Sequence, residues 1–151
     1  MGQSVPSEKM HSHKNANDME FHQGKTFFLS DGLGPSNCYT SDYRRTANSG
    51  SILISVRAPV GSLTWCDRSV AIGRGLCAVK AGKDIDANYM FWFLASSKAF
   101  LLNHSTGSTF QAIGVDTVKS LVVPMRSLED QKRIGAAINK MNSALLVLTE
   151  R

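Results

Sequence analysis

The punctuation of the chain changes at residue 127. Of its twelve glycines and four prolines, only Gly135 lies beyond that point. From there the apolar residues Ile134, Ile138, Met141, Leu145 and Leu148 fall at spacings of 4, 3, 4 and 3. This is the a/d seam of a helix that lays one narrow stripe on a partner. Ser127 followed by Asp130 resembles a capping arrangement at the helix start. A seam this narrow at a chain end reads as a coiled coil or interface helix, the alternative being a helix packed on the body of its own domain. The spacing therefore predicts a body over residues 1–126 and a helical tail over residues 127–151.

The body is cut into short pieces. Residues 1–20 are polar and turn-prone, and Phe21–Leu29 predicts two short extended pieces around a turn. Ser30–Asn37, "SDGLGPSN", is dense in breakers and reads as a loop. "GSILISVRAPVG", Gly50–Gly61, is the strongest strand: Ile52, Ile54 and Val56 alternate with Leu53, Ser55 and Arg57, which predicts a half-buried strand. Arg57 stands at its exit, beside the turn that Pro59 and Gly61 make. It either pairs internally with Asp67 or Asp31 or is presented to something outside. Val70–Ile72 and Leu76–Val79 read as short strands separated by Gly73-Arg74-Gly75. Asn88–Asn103 shows a buried helical face, capped by Asp86 or Asn88. His104–Phe110 is a hydroxyl-rich loop, Val115–Ser120 a short helix starting near Gly114, and Leu121–Val123 a strand stopped by Pro124.

Composition narrows the function classes. The chain has 151 residues, 42% of them hydrophobic, so one domain with a real core is the expectation. The net charge of +5 suits an anionic partner such as nucleic acid or a membrane surface. Three cysteines, Cys38, Cys66 and Cys77, without a C-x-x-C pattern predict reduced thiols rather than a disulfide framework or zinc ribbon. No secretion signal or membrane-spanning run is expected, and the Asn103-His104-Ser105 sequon reads as chance. His11-Ser12-His13 lacks a third ligand at a useful spacing, so no metal site is expected. No P-loop, G-x-G-x-x-G or H-E-x-x-H occurs, and a buried core role outweighs a nucleophilic role for each cysteine.

Six stretches stand in a telling order: "GQSVPSE" (2–8), "FHQGKTFF" (21–28), "GSILISVRAPVG" (50–61), "AIGRGLCAV" (71–79), "STGSTFQAI" (105–113) and "LVVPMRSLEDQKRI" (121–134). Each alone is weak, but together they resemble a target-recognition domain of the specificity (S) subunit of type I restriction-modification systems, with its conserved helix. The resemblance implies an α+β fold, a β-rich twisted-sheet recognition domain with a short packed helix, followed by a long C-terminal helix. It implies a non-catalytic chain that reads one half of a split double-stranded DNA target. It also implies that the helix pairs with a second helix and docks DNA methyltransferase (M) subunits, with the restriction (R) subunit engaged indirectly. Chemistry would belong to those partners, which use S-adenosylmethionine and ATP with magnesium; no cofactor is expected in this chain. One recognition domain and one helix imply a half-length subunit or a fragment of a two-domain subunit, and the segment that usually precedes the first motif is not seen. A homodimer in the cytoplasm of a bacterium or archaeon follows as an expectation. A helical adaptor that binds methyltransferase subunits and reads no DNA is the alternative.

A DNA reader needs cations for phosphates and flat hydrogen-bonding side chains for base edges. The candidates are Lys25, Arg44, Arg45, Arg57, Arg68 and Arg74, with Lys98 a further cation, and Gln23 and Gln111 for base edges. The hydroxyls of Ser105, Thr106, Ser108 and Thr109, beside Gly107, are candidates for phosphate. For Arg74, between two glycines, a purely structural turn role stands as the rival reading.

Overall fold

The computed structural model describes residues 1–107 and 110–149. The fold is α+β, with small sheets, short helices and a long terminal helix. Nine strands follow in order: β1 (Met19–His22), β2 (Phe28–Leu29), β3 (Gly32–Leu33), β4 (Tyr39–Thr40), β5 (Thr46–Ala47), β6 (Ser51–Ser55), β7 (Leu63–Cys66), β8 (Val70–Ile72) and β9 (Leu76–Val79). Helices α1 (Ala87–Ser96), α2 (Lys98–Asn103), α3 (Val115–Lys119) and α4 (Leu128–Thr149) follow. One sheet has the order β4-β1-β8-β5, a second β7-β6-β9, and β2 and β3 form a separate hairpin.

Strand β6 is the centre of the molecule. Its residues are buried on both faces, not on one as its alternation predicts. Leu53 packs with Leu33, Ala47, Cys66, Val70, Ile72 and Leu76. On the opposite face Ile54 meets Val56, Val60, Leu101 and Ile113, and Ile52 meets Met90 and Leu94. Helices thus cover one side of β6, and the hairpin with β8 covers the other. Each fully buried leucine or isoleucine here contributes roughly 1.5–3 kcal/mol of transfer free energy.

The elements differ from expectation in four places. Ser30–Asn37, read as a loop, contributes strand β3, because Gly32–Leu33 folds back on Phe28–Leu29. Leu63–Cys66 is a strand, β7, which pairs with β6 along its whole length; its polar Thr64 and short run hide it in the sequence. The helix expected over 88–103 is two helices that meet at Ser97. Leu121–Val123 is not a strand: Leu121 and Val123 pack against the core while Val122 is exposed, and no neighbouring strand edge pairs with them. The caps behave as expected. The Tyr89 N–H donates to the Asp86 carboxylate at 3.0 Å, and the Asp130 N–H to Ser127 Oγ at 3.1 Å. The three cysteines are free thiols.

The first half of α4 lies on α1. Gly135 passes so close to Asn88 and Tyr89 that a Cβ there would come within 2.9 Å of Asn88 Cβ. Gln131 is fully buried and acts as a polar clamp. Its Oε1 accepts from the Asp86 N–H at 2.9 Å, and its Nε2 donates to the carbonyls of Asp84 and Arg126. About two turns further on, Trp92 donates to Asn139 Oδ1 at 2.7 Å, and Asn139 donates to Asn88. Such satisfied buried amides fix one docking angle, because sliding α4 by a residue would orphan them. The predicted seam is therefore divided. Ile134 and Ile138 are half buried in a groove shared with Tyr89, Trp92, Phe93 and Pro124. Met141, Leu145 and Leu148 stand 71%, 60% and 69% exposed.

Candidate nucleic-acid interface

Sheet register decides which loops share an end of the molecule. β1 and β8 run parallel, with Phe21 opposite Ala71 and His22 opposite Ile72. Gln23 and Gly73 therefore leave the sheet side by side. β5 runs antiparallel to β8, with Thr46 opposite Ala71. Arg44 and Arg45 consequently arrive at this same end, where the Arg45 carbonyl accepts from the Ile72 N–H at 3.0 Å. In the neighbouring sheet β6 is antiparallel to β9, with Ser55 opposite Leu76, and the Val56 N–H donates to the Gly75 carbonyl at 2.9 Å. Arg57 thus emerges beside Arg74. The chain at Ala112 bridges to both Arg57 and Thr106, and the Ala58 N–H donates to the Gln111 carbonyl at 2.9 Å.

One rim thus collects Gln23, Lys25, Arg44, Arg45, Arg57, Arg74, Thr106 and Gln111. Gln23, Lys25, Arg57 and Arg74 line a single open cleft of about 290 Å³ together with Gly24, Thr26, Ser55, Ala58 and Gly75. A second cleft of about 270 Å³ shares Arg57 and Ala58 with it and adds Phe110, Gln111 and Ala112. Among the described residues, no carboxylate pairs with Lys25, Arg44, Arg45, Arg57 or Arg74.

The backbone beneath these side chains is rigid. Ser55 Oγ donates to the Pro59 carbonyl at 2.6 Å and accepts from the Ser62 N–H at 2.9 Å, which pins the turn beside Arg57. A Cβ on Gly75 would fall on the Gln23 carbonyl oxygen, so only glycine lets the 73–75 loop lie against the end of β1. The glycines around Arg74 are structural, while its side chain is exposed and lines the cleft. The internal pairing of Arg57 with Asp67 or Asp31 is not made.

Other candidates lie apart from this group. Arg68 sits before β8, at the end of that strand opposite Arg74. Its guanidinium donates to both Glu20 oxygens at 2.9 and 2.7 Å, to Asp67 at 2.7 Å and to the carbonyls of Leu33 and Gly34. Arg68 is an internal clamp, and its assignment to a DNA surface is corrected on that ground: its donors are already engaged. Ser105 is half buried, and its hydroxyl donates to the Leu102 carbonyl at the end of α2, at 2.7 Å. Lys98 opens α2 and lies against Gly61, outside both clefts. Ser108 and Thr109 lie outside the described residues.

The Arg68 clamp has a buried companion that the sequence did not signal. His22 is fully buried, and its Nε2 lies 2.8 Å from Glu20 Oε1. The Ser36 N–H also donates to that oxygen, at 2.7 Å. Burial by itself would raise the Glu20 pKa; the hydrogen bonds from Arg68, Ser36 and His22 outweigh it and hold the carboxyl at about 2. Burial lowers the His22 pKa, against the pull of Glu20, and favours the neutral ring. Burial also pushes the Cys66 thiol up, and its Sγ lies 2.9 Å from the Arg68 carbonyl, the behaviour of a core residue rather than a nucleophile. Among the described residues no group of three His, Cys, Asp or Glu is placed to hold a metal.

Fold and rim together define a class: an α+β head with one cationic end, whose two clefts are lined by no carboxylate among the described residues, and a helical tail. Over residues 35–150 the sequence matches the family described as type I restriction modification DNA specificity domain, and the chain belongs to that family. It is 32% identical over 146 residues to the putative type I restriction enzyme MjaX specificity subunit of Methanocaldococcus jannaschii, covering 96% of this chain and 34% of that protein. The HsdS subunit from Thermoanaerobacter tengcongensis matches 99% of this chain and 36% of its own length, with a TM-score of 0.85 and 29% identity. A chain from a type I R-M system studied for complex assembly and conformational transition gives a TM-score of 0.86 at 31% identity, covering 99% of this chain and 37% of that one. The chain thus spans about a third of the length of these relatives. The MjaX protein is named as a specificity subunit and the Thermoanaerobacter protein as an HsdS subunit. No helix among the described residues is long and apolar enough to cross a membrane.

Proposed function

We propose that the cationic rim reads one half of a bipartite duplex target, while α4 joins this head to a second recognition domain and to methyltransferase subunits. The observation that carries the reading is the convergence of five cations and two glutamines on one rim without a carboxylate partner. Lysine and arginine there meet phosphates, arginine grips guanine in two places, and glutamine does so for adenine. Two copies joined through α4 would present two identical heads, which fits an interrupted palindrome. Methyl transfer and cleavage, with S-adenosylmethionine, ATP and magnesium, then belong to the M and R subunits, and the assembly works in the cytoplasm.

The divided seam sharpens how the tail is used. Ile134 and Ile138 are partly occupied by α1, so Met141 and Leu148 are the better probes of an external helix. An adaptor that binds methyltransferase subunits without reading DNA would use this same exposed stripe, so the two readings part only at the rim. The double variant Arg44→Glu/Arg45→Glu should lower duplex affinity roughly hundred-fold at low salt, by loss of two phosphate partners and added repulsion. Its assembly with the methyltransferase should be unchanged. Met141→Asp/Leu148→Asp should show the reverse. Fluorescence anisotropy on duplex DNA and sedimentation of the complex measure the two quantities. Wild-type complex without salt-sensitive DNA binding would leave the adaptor reading standing.

A further inference from the structure

Phe110 is 83% exposed, and among the described large hydrophobics only Val122 is more so. Leaving an aromatic side chain in water forgoes roughly 1.5–3 kcal/mol of burial. The ring is not on a loose end. On its C-terminal side the Gln111 carbonyl is tied to the Ala58 N–H at 2.9 Å, and Ala112 exchanges both backbone hydrogen bonds with Thr106, at 2.9 and 3.0 Å. The fold thus anchors the chain immediately beside Phe110 to the Arg57 turn while the ring itself stays in solvent. Its cleft is lined otherwise by Arg57, Ala58, Gln111 and Ala112, with no acidic residue.

Phosphate and deoxyribose offer a phenyl ring little, whereas bases offer the thymine 5-methyl group and their flat faces. We propose that Phe110 is a specificity-determining residue of the rim, whose ring contacts the apolar surface of a base next to the pair read by Arg57 and Gln111. The contact is either a thymine methyl in the major groove or a base face exposed where the ring wedges open a step. This assignment rests on the DNA-reading function proposed above.

The test uses the chain in complex with its methyltransferase partner and duplexes selected from a randomised library. Phe110→Ala should melt like wild type, because the ring is exposed. It should lose roughly ten-fold in affinity for the selected duplex, lose little for random duplex, and keep the wild-type salt slope. Phe110→Trp should retain binding. Two arms separate the sources of the apolar surface. Thymine-to-uracil substitution at one position should weaken wild type but not Phe110→Ala if a methyl is read. Enhanced 2-aminopurine fluorescence with wild type only should appear if a step is opened. Equal affinities of wild type and Phe110→Ala, an equal loss on random duplex, a silent result in both arms, or a loss confined to methyltransferase assembly would each overturn the proposal. Absence of salt-sensitive DNA binding by wild type would instead show that the underlying DNA reading had failed.

Discussion

Strand β8 has an arginine near each end, and the two live in opposite circumstances. Arg68, before Val70, faces Glu20 and Asp67 and two backbone carbonyls. Arg74, after Ile72, lines an open cleft with Lys25 and Arg57 and has no carboxylate among the described residues. At most roughly 20 Å of extended chain separates them. The difference comes from what the rest of the fold delivers to each end. Glu20 lies 48 residues away in sequence and is brought by β1. The other end receives loop cations, glycines and neutral side chains, and no carboxylate lines its clefts among the described residues. An arginine without a partner at a rigid rim keeps its donors available for an external anion; one with two carboxylates and two carbonyls has none to offer.

The largest effect that separates the two ends is on stability. Arg68→Met should cost roughly 2 kcal/mol, because it leaves Glu20 half buried without its guanidinium counter-charge; the cost falls below that of a deep ion pair because the Arg68 side chain is 34% exposed. Arg74→Met should melt within experimental error of wild type. Thermal unfolding of both variants checks this, and equal losses would mean that the two arginines play the same structural part.

Acid sharpens the same contrast. The folded His22 and Glu20 both have lowered pKa values, so each contributes stability above its unfolded value that is lost as pH falls. Stability should begin to fall below about pH 6.5, as His22 must charge on unfolding, and fall again from about pH 4.5 toward 2, as Glu20 protonates. In Arg68→Met the lower limb should flatten, because burial of Glu20 is no longer opposed by the guanidinium. Arg74→Met should trace the wild-type curve. Melting temperature as a function of pH reads both limbs.

The smallest effect is at the rim. Five cations meeting phosphates predict a log–log salt slope of about −4 to −5 for wild-type DNA binding. Arg74→Met should reduce its magnitude by about 1, and Arg68→Met, where it remains folded, by nothing. A slope change of equal size in both variants would mean that the Arg68 clamp opens to meet DNA.

Much of the molecule was legible in the residues. The β6 strand followed from the alternation of Ile52, Ile54 and Val56 with Leu53 and Ser55, and the starts of α1 and α4 from the capping candidates, of which Asp86 and Ser127 satisfy N–H groups only three residues away. Gln23, Lys25, Arg57, Arg74 and Gln111 were legible as residues near glycine- and proline-marked turns, and Arg44 and Arg45 as adjacent cations in a polar stretch. Less legible were the features that depend on distant partners. β7 exists because β6 pairs with all of it. The second face of β6 is buried because α1 and α2 cover it. Arg68 looked like its neighbours along the chain until β1 placed Glu20 against it, and Phe110 passed as one more loop residue.

The order of motifs, the caps, the cationic loops and the heptad spacing of the tail were determined by the sequence itself, because each rests on contacts within a few residues. Tertiary structure alone decided which loops share a rim, which arginine is locked away, and that Gln131 and Asn139 dock the front half of α4 on α1 while Met141 and Leu148 remain exposed. The physical reason is one of range. Capping and periodicity are satisfied locally, but an arginine's charge is neutralised, or left available, by whatever carboxylate the folded chain carries to within hydrogen-bonding distance.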